Sequence, residues 1–202
     1  MNYDIQKAWF TSDTHFNQER TFELSRRNMY FKDLNESTEK MIENWNRVVG
    51  EDDFVYHLGD FGDYEVAERL NGNIILLFGN YEHNDFDKDD LTEMMLAKYF
   101  YEYDYHFYGL SDLGDSFLER LLMVHEPENR QSAIREIKDY TSFDYSDAFY
   151  LFGHIHEKQK VKRNGLNVGV DVHNFTPVSW DTVEFYAKAI REFYDANCFD
   201  NF

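Results

Sequence analysis

Cysteine and proline are almost missing from this chain of 202 residues, which has one Cys and two Pro. The lone thiol, Cys198, excludes an internal disulfide framework and a cysteine-rich zinc site, which fits a reducing cytosol. Beyond Pro127 and Pro177 nothing punctuates the chain strongly, and no low-complexity linker or internal repeat is visible. Residues 1–202 therefore read as one domain, long enough to bury a substantial core. Long apolar runs are also absent, and the opening segment MNYDIQKAWF has neither a basic region nor an apolar stretch. A soluble cytoplasmic protein with no membrane partner is the expectation. Positive charge is scarce: 20 Lys and Arg stand against 39 Asp and Glu, a net charge of −19. Such a surface repels polyanions, so duplex nucleic acid is not an expected partner.

What the chain does have is aromatic bulk, with 19 Phe and 15 Tyr, far too much for a disordered acidic chain. Residues 7–11 read as a first strand and 53–58 as a short buried strand stopped by Gly59. Residues 74–78, Ile-Ile-Leu-Leu-Phe, form the clearest buried strand, apolar throughout as if covered on both faces. Further strands are expected at 99–108, 117–124, 147–152, 158–162 and 166–172. Helices are expected at 18–30, at 37–49 with a cap at Ser37 or Thr38, at 64–70, 91–98, 131–140 and about 180–195 behind Ser179. Strands and helices alternating in this way argue for a layered α/β domain.

Five short stretches carry oxygen or nitrogen ligands: Asp13-x-His15, Gly59-Asp60, Gly79-Asn80, His125, and Gly153-His154-x-His156. Nearly every one follows a strand-like run, the pattern of a single pocket built from strand ends. In an extended segment residues i and i+2 share a face, so Asp13 with His15, and His154 with His156, are expected to point together. Seven ligands exceed the needs of one cation and suit two. Mixed imidazole and carboxylate donors favour Mn²⁺, Fe or Zn²⁺ over Ca²⁺, with Ni²⁺ and Co²⁺ chemically possible and Mn²⁺ preferred.

These elements, Ser12-Asp13-Thr14-His15, Gly59-Asp60-Phe61-Gly62-Asp63, Gly79-Asn80, Val124-His125 and Gly153-His154-Ile155-His156, resemble in order and spacing those of the calcineurin-like metallophosphoesterases. The resemblance runs across residues 8–175. It implies a four-layer αββα sandwich with a dinuclear metal site at the strand ends. It also implies one cation held by Asp13, His15, Asp60 and His156, and another by Asp60, Asn80, His125 and His154, with Asp60 bridging. The expected activity is hydrolysis of phosphate esters by a metal-activated water.

One departure affects mechanism. The family usually places His directly after the Asn of its third element, where it helps protonate the leaving group. Here Asn80 is followed by Tyr81-Glu82-His83. Either His83 swings in as a displaced general acid, or the enzyme works without one; the second reading is preferred, because two positions along a turn change a side chain's direction. That preference points to a phosphodiesterase acting on a small or nucleotide-like phosphorylated substrate. A phosphomonoesterase, a single-strand nuclease of the same family, and a non-catalytic interaction module are the alternatives. Arg27, Arg130 and His173 are candidates for holding substrate, since guanidinium groups fit phosphate oxygens. A solvated helix face competes for each Arg, Arg20 and Arg26 included. Asp63 is expected to cap a helix, and His57 to be a core histidine.

Overall fold

The computed structural model describes residues 5–86, 90–104, 107–111, 113, 116, 118–141 and 143–193, so Cys198 and His106 lie outside the described residues. In chain order the elements are β1 (Ala8–Thr11), α1 (Glu19–Leu24), α2 (Leu34–Val48), β2 (Phe54–His57), β3 (Asn73–Leu77), α3 (Asn80–Phe86) and α4 (Asp90–Tyr99). Then follow β4 (Glu102–Asp104), β5 (Phe107–Ser111), β6 (Arg120–Val124), α5 (Arg130–Tyr140), β7 (Phe149–Phe152), β8 (Val161–Lys162), β9 (Gly165–Asn167), β10 (Val178–Ser179) and α6 (Trp180–Phe193).

They form two five-stranded sheets, β10-β1-β2-β3-β4 and β5-β6-β7-β9-β8. The strands β1 to β4 pair in parallel, as do β6, β7 and β9, while β10, β5 and β8 are antiparallel additions. Alternation along each strand decides what fills each layer. Phe10, Tyr56, Leu58, Ile75 and Leu77 of the first sheet meet Leu121, Met123, Phe149 and Leu151 of the second in one buried cluster. The opposite faces are covered by helices. Val55, Ile74, Leu76 and Phe78 pack with Met41, Ile42 and Trp45 of α2, whereas Leu122, Val124, Tyr150 and Phe152 pack with Ala133, Ile134 and Ile137 of α5. Apolar residues thus sit on both faces of the central strands, which makes the predicted αββα sandwich. Each such fully buried side chain contributes about 1.5–3 kcal/mol, so a charged replacement of Leu151 would open both the inter-sheet core and the fold. Helix α6 is different: its Val183 and Ala187 enter the cluster between the sheets.

Several boundaries differ from expectation, each for a local reason. Helix α2 starts three residues earlier than predicted, because Asp33 accepts the Glu36 N–H at 2.8 Å and caps it; Ser37 and Thr38 are buried one turn inside. Residues 99–108 are not one strand. Tyr99 ends α4, β4 joins the first sheet and β5 the second, so the segment crosses between layers. The stretch predicted at 166–172 holds only the end of β9 before a 3₁₀ turn at Val170–Val172. Helix α3, which begins at Asn80, and the two-residue β10 carry too little pattern to be read from sequence. Residues 64–69 form the expected short helix as a 3₁₀ turn, capped by Asp63 through the Glu65 N–H. Among the described residues no helix is long and apolar enough to cross a membrane.

Candidate metal centre

Parallel strands of both sheets end at one rim, and the loops that leave them there are stitched together by main-chain hydrogen bonds. Asp13 N donates to Gly59 O, His15 N to Asp60 O and Phe16 N to Phe61 O, so the loop after β1 runs along the loop after β2. Val170 N donates to Ser12 O, which adds the loop after β9, and Gly153 N donates to His125 O, which joins the loops after β6 and β7. The loop geometry corrects the extended-segment argument. Asp13, His15, Asp60, His154 and His156 all have positive φ, between 46° and 69°, in the left-handed region that side chains normally avoid. Each such residue costs about 1–3 kcal/mol, and their gathering at one rim marks a place where conformation serves side-chain aim. Asp13 and His15 do share a target, but through a curled backbone.

Two groups result. Asp13, His15 and His156 bring one donor atom each to within 4.8 Å of one another, and so do Asp60, His125 and His154. Asp60 Oδ2 lies between them, 3.5 Å from His15 Nε2 and 3.4 Å from His125 Nε2. Asn80 Oδ1 is 3.3 Å from His125 Nε2, and His154 Nδ1 is also 3.3 Å from it. Hence all seven residues singled out as ligands stand along one line of contacts.

The donor atoms are arranged as a cation would require. His15 Nδ1 donates to Gln18 Oε1 at 2.6 Å, which turns the Nε2 lone pair inward; that buried atom has no hydrogen-bond partner. His125 Nδ1 donates to Leu58 O at 2.6 Å, so its Nε2 lone pair faces a carboxylate oxygen, an amide oxygen and an imidazole nitrogen. Acceptors facing acceptors in a buried site need positive charge between them. The proton equilibria carry the same sign. Burial opposes charging of His125, yet the hydrogen bond and charge of Asp60, with Asp13, outweigh it and raise its pKa to about 10. Burial works against ionisation of Asp60 too, but His125, His15 and the Tyr81 N–H overcome it and hold the carboxyl at about 2. His15 is driven the other way, to about 4, chiefly by burial. Metal ions take the place of such protons when they bind imidazole and carboxylate donors. The set fits divalent cations of borderline hardness.

Glycine makes room for the convergence. A Cβ at Gly79 would overlap Asp60 Oδ1, and one at Gly153 would overlap Ser12 Oγ and Asp13 Oδ2. The Asp13 carboxylate accepts the His154 N–H at 2.9–3.0 Å, which locks the loop after β7 onto the loop after β1.

A model of the calcineurin-like phosphoesterase superfamily domain matches residues 7–174. The chain belongs to this superfamily. The chain is 28% identical over 195 residues to an uncharacterised protein of Methanocaldococcus jannaschii, covering 89% of this chain and 90% of that one. Its fold is similar to the crystal structure of a protein of unknown function from Aquifex aeolicus, with a TM-score of 0.65 at 23% identity, covering 89% of this chain and 98% of the other. A weaker likeness, TM-score 0.43 at 21% identity over 80% of this chain and 81% of the other, is to an archaeal phosphodiesterase. Members of the superfamily are metal-dependent, and this chain carries two Asp/His groups that could each hold a metal ion.

Other predicted site residues lie elsewhere. Arg27, expected to meet substrate, is 2% exposed. Its guanidinium is spent on Asp171 and on the carbonyls of Asp13 and Thr14. Arg130 donates to Ser146 O at 2.6 Å and lies over the Tyr150 ring, which ties α5 to β7. His173 bonds to Asn167 O at 2.8 Å and faces an open cavity of about 550 Å³ that none of the seven candidate ligands lines. His83 packs edge-on against Phe78, whereas Tyr81 is the ring that reaches His15, edge to face with centroids 4.9 Å apart. His57 is the expected core histidine, bonded to Thr14 Oγ1 at 2.9 Å.

Three supporting residues escaped the sequence reading. Glu82 is buried and accepts the N–H groups of Asp60, Phe61 and Gly79, all at 2.8 Å. Burial and the Asp60 charge push its pKa to about 7. Asn167 bridges the His156 and Gln159 carbonyls and accepts the Gly169 N–H. Asp171 accepts from His156 Nδ1 at 2.7 Å. Only Glu82 left a signal, its place two residues after Asn80.

Proposed function

We propose that this phosphoesterase hydrolyses small phosphodiesters, nucleotide-like ones among them, at a dinuclear centre for which Mn²⁺ is the favoured ion. The reading rests on one observation above the others: Asp60 Oδ2 stands between His15 Nε2 and His125 Nε2, at 3.5 and 3.4 Å, the place of a carboxylate shared by two ions. Asp13, His15 and His156 complete one ligand set with Asp60, and Asn80, His125 and His154 complete the other. Two divalent cations held there would activate a water for attack on phosphorus and neutralise charge on the phosphoryl oxygens.

The chain's own residues do the rest. Gln18, Leu58 and Asp171 fix the His15, His125 and His156 rings through their Nδ1 atoms, so that each Nε2 would be the atom offered to an ion. Tyr81 N holds Asp60 Oδ1 at 3.0 Å and so turns the other oxygen inward. With Tyr81 beside His15 and His83 against Phe78, no imidazole among the described residues stands where the superfamily's usual proton donor would be. A substrate whose leaving oxygen needs little protonation suits that arrangement best, and we read that substrate as a diester. The net charge of −19 supports a small substrate drawn by local positive charge over a long polyanion.

Turnover of bis-p-nitrophenyl phosphate against p-nitrophenyl phosphate, with Mn²⁺ supplied, tests the preference. Diester turnover is expected to be the faster. Faster monoester turnover overturns the preference, and turnover of neither with Mn²⁺, Fe, Zn²⁺, Ni²⁺ or Co²⁺ overturns the reading. Asp60→Asn and His154→Ala should each abolish both activities.

A further inference from the structure

Asp171 and Arg27 lie 144 positions apart and are both almost fully enclosed, with 3% and 2% of their side chains exposed. Arg27 Nε and Nη2 grip the two Asp171 oxygens at 2.9 and 3.0 Å, the paired geometry that a planar guanidinium favours. The same guanidinium donates to Thr14 O and Asp13 O, each at 2.6 Å. Asp171 Oδ2 in turn accepts from His156 Nδ1 at 2.7 Å. One cation therefore ties together the loop after β1, the 3₁₀ turn after β9 and, through Asp171, the His156 ring.

The two Asp/His groups differ in this support. His156 rests on a charged carboxylate that is itself clamped, and it stacks on His15 with centroids 5.3 Å apart. His125 rests on the neutral carbonyl of Leu58. A carboxylate behind a ligating imidazole fixes its tautomer and raises its basicity, and removing such a partner typically costs about 10–100-fold in metal affinity. Burying an ion pair is a poor way to gain stability, because desolvation offsets most of the attraction. The arrangement is better explained by what it aims.

We propose that Asp171 and Arg27 are positioning residues that preorganise the Asp13–His15–His156 group, making it the tighter of the two sites for a divalent cation. The inference rests on the dinuclear reading above and concerns the order and strength of metal capture.

Calorimetric titration of metal-stripped protein with Mn²⁺ reads it directly. The wild-type chain should take up two equivalents in two steps. Asp171→Asn, which keeps the shape and loses the charge, should weaken the tighter step about 10–100-fold and leave the weaker one within about two-fold. Arg27→Lys, which keeps the charge and loses the fork, should fall between Asp171→Asn and wild type. Equal weakening of both steps, or no change in either, overturns the proposal. Uptake of fewer than two equivalents by wild-type protein overturns the dinuclear reading, and this inference with it. A second measurement needs no variant to fold: nitrogen-15 NMR of the metal-free wild-type chain should show His156 protonated on Nδ1, and a proton on Nε2 alone overturns the positioning role.

Discussion

The buried Glu82 carboxylate accepts the Asp60 N–H with one oxygen at 2.8 Å, shares that oxygen with the Gly79 N–H, and accepts the Phe61 N–H with the other. It thereby sets the height of the Asp60 loop relative to Asn80. Glu82→Ala would leave three buried N–H groups without partners, at about 1–3 kcal/mol each. For a chain of this size about 2–4 °C of Tm follows each kcal/mol, so a fall of roughly 10 °C or more is expected in a calorimetric scan. Glu82→Gln restores acceptors for some of the three and should fall less. A Glu82→Ala protein as stable as wild type would remove Glu82 from this role.

Gly153→Ala is expected to damage the site out of proportion to its size. The added methyl would meet Ser12 Oγ and the Asp13 carboxylate, on the line where the loop after β7 is hydrogen-bonded to Asp13. Neither partner is the free end of a long side chain, so the loop must move. Mn²⁺ uptake by the Asp13–His15–His156 group should drop at least tenfold while the far-ultraviolet circular dichroism stays native. Unchanged uptake would show that the loop relaxes freely.

How far the sequence carries differs between layer and loop. Asp60, Asn80, His125 and His154 were legible because each follows an apolar strand, and strand ends in such sheets meet at one rim. An uninterrupted apolar run made Ile74–Phe78 visible as a strand covered on both faces. The backbone of the loops was not legible: Asp13 and His15 look extended in sequence, yet have φ of 57° and 46°. Loop hydrogen bonds across more than forty residues impose that shape, and no local propensity encodes them. Arg27 was misread for a related reason. An Arg on a short polar segment looks solvated until a carboxylate 144 positions later is seen to fold onto it.

Tyr81→His should change leaving-group sensitivity. Tyr81 already lies against His15, so an imidazole there would stand beside the proposed centre at the superfamily's usual histidine position. General acid help is worth about 10²–10⁴-fold for poor leaving groups and little for p-nitrophenolate. The variant should therefore gain at least tenfold on phenyl phosphate or a methyl ester while its rate on bis-p-nitrophenyl phosphate moves by less than about threefold. A plot of log kcat against leaving-group pKa should become shallower. An unchanged slope would mean that the substituted ring does not reach the leaving oxygen.

Two histidines outside the proposed ligand set weaken the fold as pH falls. His57 is fully buried at the end of β2, where burial outweighs the Asp60 charge and lowers its pKa from 6.5 to about 3. His173 is lowered to about 4, again by burial first, against the hydrogen bond to Asn167 O that favours its charged form. Both values are depressed, so below pH 6.5 the unfolded chain binds protons that the folded chain refuses. The stabilisation is complete above 6.5 and is lost as pH falls through about 4 and then about 3. His173→Gln keeps a donor toward Asn167 and removes the titration. With metal stripped, the urea midpoint of wild-type protein should fall steeply between pH 6.5 and pH 4, and that of His173→Gln less steeply over the same interval. Parallel curves for the two proteins would mean that His173 takes up its proton equally in the folded and unfolded chains, and would remove it from this role.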